Sequence, residues 1–133
     1  MSKIEQFRFD EIGYKKLMHY KSWRIAMLNY IYELEPENIY YMDAHLETDE
    51  IFVLLEGKAI LFELNGENVT GVKLEKNTIY NVKAGLYHTH VLSKDCKLLI
   101  VEEESTNDSN TTRHHLTDKQ KQAIIDQWRN YEI

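Results

Sequence analysis

The sequence predicts an all-β domain that ends in an α-helix. Three observations carry that reading: short runs rich in β-branched and aromatic residues, turn-forming dipeptides between them, and an amphipathic last segment. The first run, Trp23 to Leu34 (WRIAMLNYIYEL), is apolar on both alternate faces, as a strand covered on two sides is, and stops at Glu35-Pro36-Glu37-Asn38. Its tyrosines and isoleucines and the terminating proline favour a strand over a helix. Further runs follow at Ile39–His45, Glu50–Glu56, Lys58–Leu64, Val69–Glu75, Thr78–Val82, Tyr87–Leu92 and Lys97–Glu103. Glu56-Gly57, Asn65-Gly66, Lys76-Asn77 and Ala84-Gly85 separate them, and each suits a tight turn. About eight strands at roughly ten-residue spacing imply a sandwich, a barrel or a jelly roll.

Composition then changes. Ser105 to Thr112 (STNDSNTT) has no apolar residue and is expected to be a mobile surface loop that ends the β-region. Thr117 and Gln120 have the spacing of a helical capping box, and Ile124, Trp128 and Tyr131 fall on one helical face, expected to dock on the β-region. The division is a single domain, with the barrel over about 15–104, a polar loop over 105–116 and a helix over 117–131.

A chain of 133 residues with 43% hydrophobic content can fill one core. Asp and Glu number 22 against 16 Lys and Arg, a formal charge of -6, which disfavours nucleic acid and anionic membrane surfaces as partners. No apolar run approaches the ~20 residues of a membrane helix, and MSKIEQFRFDEIGYKK has no apolar signal core. Cys96 stands alone, so no intramolecular disulfide forms, and the expected compartment is the cytoplasm. Internal repeats, phosphate-binding loops, dinucleotide fingerprints and paired-cysteine zinc motifs are absent.

Histidine and carboxylate concentrate at Met42–Glu50 (MDAHLETDE) and Tyr87–His90 (YHTH). Side chains alternate along a strand, so Asp43 and His45 share one face, as do His88 and His90. Glu50 starts a face that continues with Phe52 and Leu54. If these faces look inward, several polar groups converge in an apolar interior, where they must be paired or must bind something.

At this point the chain resembles the cupin superfamily, small jelly-roll barrels. The first cupin motif runs His-x-His, four residues, Glu, six residues, Gly, and His45, Glu50 and Gly57 fit its second His, its Glu and its Gly. The second runs Pro-x-Gly-x-x-His, and Gly85 and His88 fit its Gly and His. The resemblance covers about Ile39 to Glu103, with Asp43 in place of the first histidine and Lys83 in place of the proline. It implies a cupin-type jelly-roll barrel and a two-His, one-carboxylate set of His45, Glu50 and His88 for Fe(II), Mn(II), Ni(II) or Zn(II). Asp43 is a candidate fourth ligand, and His90 a replacement or supporting one. The alternative is a metal-free, hydrogen-bonded cluster of the same residues.

Three functions fit this reading. The first is a metal-dependent enzyme acting on a small polar metabolite such as a sugar derivative or organic acid, with Asp43, Glu47 or His90 moving protons. The second is a non-enzymatic sensor or carrier of a small molecule or metal. The third is a metal-free sugar-nucleotide isomerase or epimerase with a histidine base and a tyrosine acid; Arg8, Arg24, Arg113 and Arg129 are scattered in sequence, so its pyrophosphate site depends on folding to gather them. Of the nine tyrosines, Tyr41 and Tyr80 are the first candidates for a pocket. The acidic run Glu102–Glu104 is expected to be a solvated strand end. The resemblance also implies a homodimer, with the segment before Trp23 as its means of pairing.

Overall fold

Strand alternation and turn chemistry produce ten strands, which the computed structural model describes within residues 2–132. The strands are β1 (Tyr14–Tyr20), β2 (Trp23–Asn29), β3 (Tyr41–His45), β4 (Glu50–Glu56), β5 (Ala59–Asn65), β6 (Asn68–Lys73), β7 (Ile79–Val82), β8 (His88–Leu92), β9 (Lys97–Glu103) and β10 (Thr111–His115). They form two antiparallel five-stranded sheets, ordered β1-β2-β9-β4-β7 and β10-β3-β8-β5-β6. One helix, α1 (Asp118–Glu132), follows.

The period-2 alternation splits the apolar residues into two layers. Phe52, Leu54, Leu61, Leu92, Leu98 and Ile100 belong to the cluster between the sheets. Met42, Ile60, Phe62 and Val91, from the opposite faces of β3, β5 and β8, pack instead against Ile124 and Trp128 of α1. The helix begins as its sequence signal predicts: Thr117 Oγ1 accepts from the Gln120 backbone N–H at 3.1 Å, and Gln120 Oε1 accepts from the Thr117 N–H at 3.0 Å. Gln127 Oε1 accepts from the Gly71 N–H at 2.9 Å while its Nε2 donates to the Val69 carbonyl at 3.1 Å, covering part of the β6 edge.

Two expectations are corrected. The first run read as a strand, β2, ends at Asn29 rather than Leu34, with β1 preceding it, and short 3-10 turns follow at Tyr32–Leu34 and Pro36–Asn38. The run stays apolar because Leu34 packs against the inter-sheet cluster. The stretch 105–116 is not one mobile loop. Asn107 caps a 3-10 turn over Asp108–Asn110 with its side chain, and Thr111–His115 pairs with β3 in the register Thr111↔His45 to His115↔Tyr41. That strand lacks apolar alternation because it lies at a sheet edge and packs beside the polar residues of β3.

Candidate metal centre

Three strands from both sheets deliver the site. Glu50 opens β4 in one sheet, and His45 closes β3 and His88 opens β8 in the other. One ligand atom from each of these residues lies within 4.8 Å of the others. Glu50 Oε1 is 2.9 Å from His88 Nε2 and 3.3 Å from His45 Nε2, and the two imidazoles meet edge to face at 5.4 Å. Glu50 and His88 are buried, at 6% and 7% exposure, so this cluster sits in low dielectric.

The hydrogen bonds on the far side of each ring assign its tautomer. His88 Nδ1 lies 2.9 Å from the Leu86 carbonyl, which only accepts, so Nδ1 carries the proton. His45 Nδ1 lies 3.0 Å from Thr111 Oγ1, and that hydroxyl donates its own proton to the Asn107 carbonyl at 2.8 Å. His45 Nδ1 is therefore also the donor. Both neutral rings consequently turn an Nε2 lone pair toward one carboxylate oxygen. Lone pairs that face each other this closely require either a proton or a cation between them. Burial alone would raise the Glu50 carboxyl, but the hydrogen bonds and charges of His45 and His88 hold it well below the usual carboxylate range. The same Glu50 contact raises His45. A divalent ion satisfies all three groups at once, so the donor set fits a cupin metal.

The turn that presents His88 is held from the other motif. Asp49 Oδ1 accepts from the Ala84 N–H at 2.8 Å, Asp49 Oδ2 accepts from Asn81 and Lys83, and the Gly85 N–H donates to the His45 carbonyl at 2.8 Å. Lys83, standing at the proline position, thus joins an anchored turn.

The remaining candidates separate. Asp43 lies opposite His88 in the β3–β8 register, but both its oxygens bind Arg113, Oδ1 to Nε at 2.9 Å and Oδ2 to Nη2 at 3.3 Å. The Arg113 guanidinium stacks 3.6 Å above the Tyr41 ring. Asp43, Thr111, Arg113 and Asp108 line a hollow of about 230 Å³ beside His45. His90 packs on Phe52 at 5.7 Å, and its Nδ1 has no hydrogen-bond partner among the described residues. Desolvation, reinforced by His88, lowers His90 to about 4. Glu47 is tied to Asn110 Nδ2 at 3.2 Å, away from the three-residue cluster. Tyr80 lines a cavity of about 110 Å³ with Leu61, Val72, Val82, Leu86 and His88, and its hydroxyl accepts from the Glu75 N–H. Larger hollows near Lys58, Cys96 and Trp128 share no residue with the cluster.

The acidic run 102–104 is only partly a solvated end, because Glu102 is 7% exposed. Its Oε1 accepts from Arg24 Nη2 at 2.6 Å, Arg24 Nε at 3.2 Å and the Tyr14 hydroxyl at 3.4 Å. Burial and the neighbouring Glu50 push its carboxyl above the usual range, against the pull of Arg24. The alternation Leu98, Ile100, Glu102 carried the signal for this interior placement. Arg24 and Arg113 do reach the site, yet each is committed to a carboxylate.

The sequence matches no family model and no curated protein. Solved structures do resemble this chain. A cupin-2 domain protein from Shewanella frigidimarina aligns over 72% of this chain and 85% of its own at 16% identity, with a TM-score of 0.55. Streptomyces Pac13, a nucleoside dehydratase, in a uridine-bound form aligns over 90% of this chain and 96% of its own at 9% identity, with a TM-score of 0.60. HppE, with Co(II) and its substrate, aligns over 74% of this chain and 56% of its own at 18% identity, with a TM-score of 0.55. At these identities the likeness concerns the fold.

Proposed function

We propose that this chain of cupin fold is a small metal-binding enzyme acting on a small polar metabolite such as a sugar derivative or organic acid. His45, Glu50 and His88 hold one divalent transition ion: Fe, Mn, Ni or Zn. The observation that carries the reading is the pair of Nε2 lone pairs, each fixed by a hydrogen bond behind it, converging on one buried carboxylate oxygen. When bound, the ion supplies a Lewis acid that polarises a substrate oxygen.

The chain's own residues do the rest. The Leu86 carbonyl and Thr111 hydroxyl keep the two rings oriented, and Phe52 and Leu86 exclude water behind them. Asp43, beside His88 and positioned by Arg113, is the group proposed to take or return a proton at its carboxylate. Tyr41 and Arg113 shape the rim on the His45 side, and Tyr80 forms part of the wall on the His88 side. Neighbours of the same fold that hold uridine, or Co(II) with a substrate, support a small-molecule ligand. The same reading includes a cytoplasmic homodimer that pairs through the N-terminal edge strand β1, on which Tyr14 and Tyr20 are exposed. No helix among the described residues is long and apolar enough to cross a membrane.

A second reading is favoured by the raised His45: a proton shared with Glu50 stabilises the same cluster without metal, leaving a ligand-binding protein with no chemistry of its own. Elemental analysis of untagged protein, purified without chelator or nickel resin, separates the two. The expected result is near-stoichiometric metal in the wild type, lost in His88→Ala and His45→Ala. No metal after reconstitution with Fe(II), Mn(II), Ni(II) and Zn(II), or full retention in both variants, overturns the metal reading.

A further inference from the structure

We propose that Glu102 is the second carboxylate of this centre, a positioning residue that lies against Glu50 and through it supports the cation held by His45, Glu50 and His88. The inference rests on the metal reading above and adds a residue to it.

Strand register places the two acids together. Ile51 pairs with Val101, so the next pair along β4 and β9 brings Glu50 and Glu102 side by side on the interior face. Both are more than nine-tenths buried. Like charges directly opposite across a ladder are destabilising, and more so away from water. Arg24, opposite Glu102 in the β2–β9 register, offsets one of the two charges.

The geometry of that ion pair is the telling part. Arg24 Nη2, Arg24 Nε and the Tyr14 hydroxyl all converge on Glu102 Oε1. Oε2 is buried and accepts from no N–H or hydroxyl among the described residues, and the carboxyl instead meets Glu50 within hydrogen-bonding reach. Arginine–carboxylate pairs are frequently bidentate, as Asp43 is with Arg113 within this same molecule. Glu102 instead meets a second buried carboxylate, and two such groups in contact need a proton or a cation to offset their repulsion. Arg24 and Tyr14 act as the clamp that holds it there.

Co(II) titration of the metal-stripped protein, followed by visible absorption, tests this. Glu102→Gln keeps the shape and removes the charge. Its Co(II) affinity is expected to fall about tenfold to a hundredfold, the usual range for removing a partner that supports the ligands, and its absorption bands to shift. Glu102→Asp restores part of the affinity, and Arg24→Met, which keeps the carboxylate but removes part of its clamp, loses less affinity than Glu102→Gln. Because Glu102→Gln strands Arg24, the double variant Arg24→Met/Glu102→Gln is measured beside it and shows the same loss. Wild-type affinity and spectrum in Glu102→Gln, or in the folded double variant, overturn the role of Glu102 and leave the metal centre standing. A wild-type chain that takes up no Co(II) overturns the metal reading itself, and this inference with it.

Discussion

Single residues in this chain are set by what surrounds them more than by their own chemistry, and Cys96 shows the size of the effect. Its side chain is buried at the start of the β9 ladder, and desolvation, assisted by the Asp95 charge, pushes the thiol up to about 12. At pH 8 the folded protein then holds about a thousandfold less thiolate than an unfolded chain, so iodoacetamide should modify Cys96 slowly in buffer and quickly in denaturant. The same shift fixes a sign for stability. Between the ordinary value of 9.0 and about 12 the unfolded chain loses a proton that the folded one keeps, so stability falls as pH rises through that range. Cys96→Ser should flatten this alkaline decline in a series of urea melts, and an unchanged decline would refute the assignment. Burial parity made this level partly legible in the sequence: alternation puts Asp43 with His45 and His88 with His90 on shared faces, while the direction in which those faces look came only with the fold. Which carboxylate each arginine takes did not, because Arg113–Asp43 and Arg24–Glu102 are separated by 70 and 78 residues. Glu102 was hidden by its neighbours Glu103 and Glu104, which make an interior residue look like part of a solvated run.

At the level of elements, turns decide how the strands meet, and two glycines with similar backbone angles make different demands. Gly57 has φ +76, and a Cβ there would lie 2.7 Å from Cys96 Cα and 2.7 Å from Ser93 Oγ. Gly85 has φ +83 with nothing within 4 Å of its would-be Cβ. Gly85→Ala should therefore cost only the left-handed strain, about 1–2 kcal/mol. Gly57→Ala adds overlap with backbone that cannot move aside, about 1–3 kcal/mol more. Urea midpoints of the two variants should separate accordingly, and equal losses would show that the β4–β5 turn does not need the close approach to Cys96. Both glycines were legible, as were the capping box of α1 and most strand limits, since each rests on a local pattern. β10 was not legible, because Thr111, Arg113 and His115 present polar groups to a polar neighbour and an edge strand needs no apolar face. The end of β2 was misread for the opposite reason: its apolar run continues into turns that still pack against the core.

For the whole molecule, the consequence of the site lies in how it joins the two sheets. His45 and His88 belong to β10-β3-β8-β5-β6 and Glu50 to β1-β2-β9-β4-β7, so an ion bound by all three is a cross-link between layers otherwise held by apolar packing. An unfolded chain cannot assemble ligands that lie 5 and 38 residues apart along the sequence, so the ion binds the folded state and its binding energy adds to stability. With free metal a hundredfold above the dissociation constant the gain is about 2.7 kcal/mol. For a chain of this length that is roughly a 10 °C rise in Tm. Chelated and reconstituted protein should differ by about that much in a thermal melt, and the difference should vanish in His45→Ala, which removes one ligand from a ring only partly buried. If chelation leaves the wild-type Tm unchanged and added Fe(II), Mn(II), Ni(II) or Zn(II) does not raise it, the three side chains are bridged by a proton instead. The inter-sheet link is then a hydrogen-bonded His–Glu–His cluster, strongest where His45 is charged and Glu50 is ionised, and lost as pH rises above the raised His45 value.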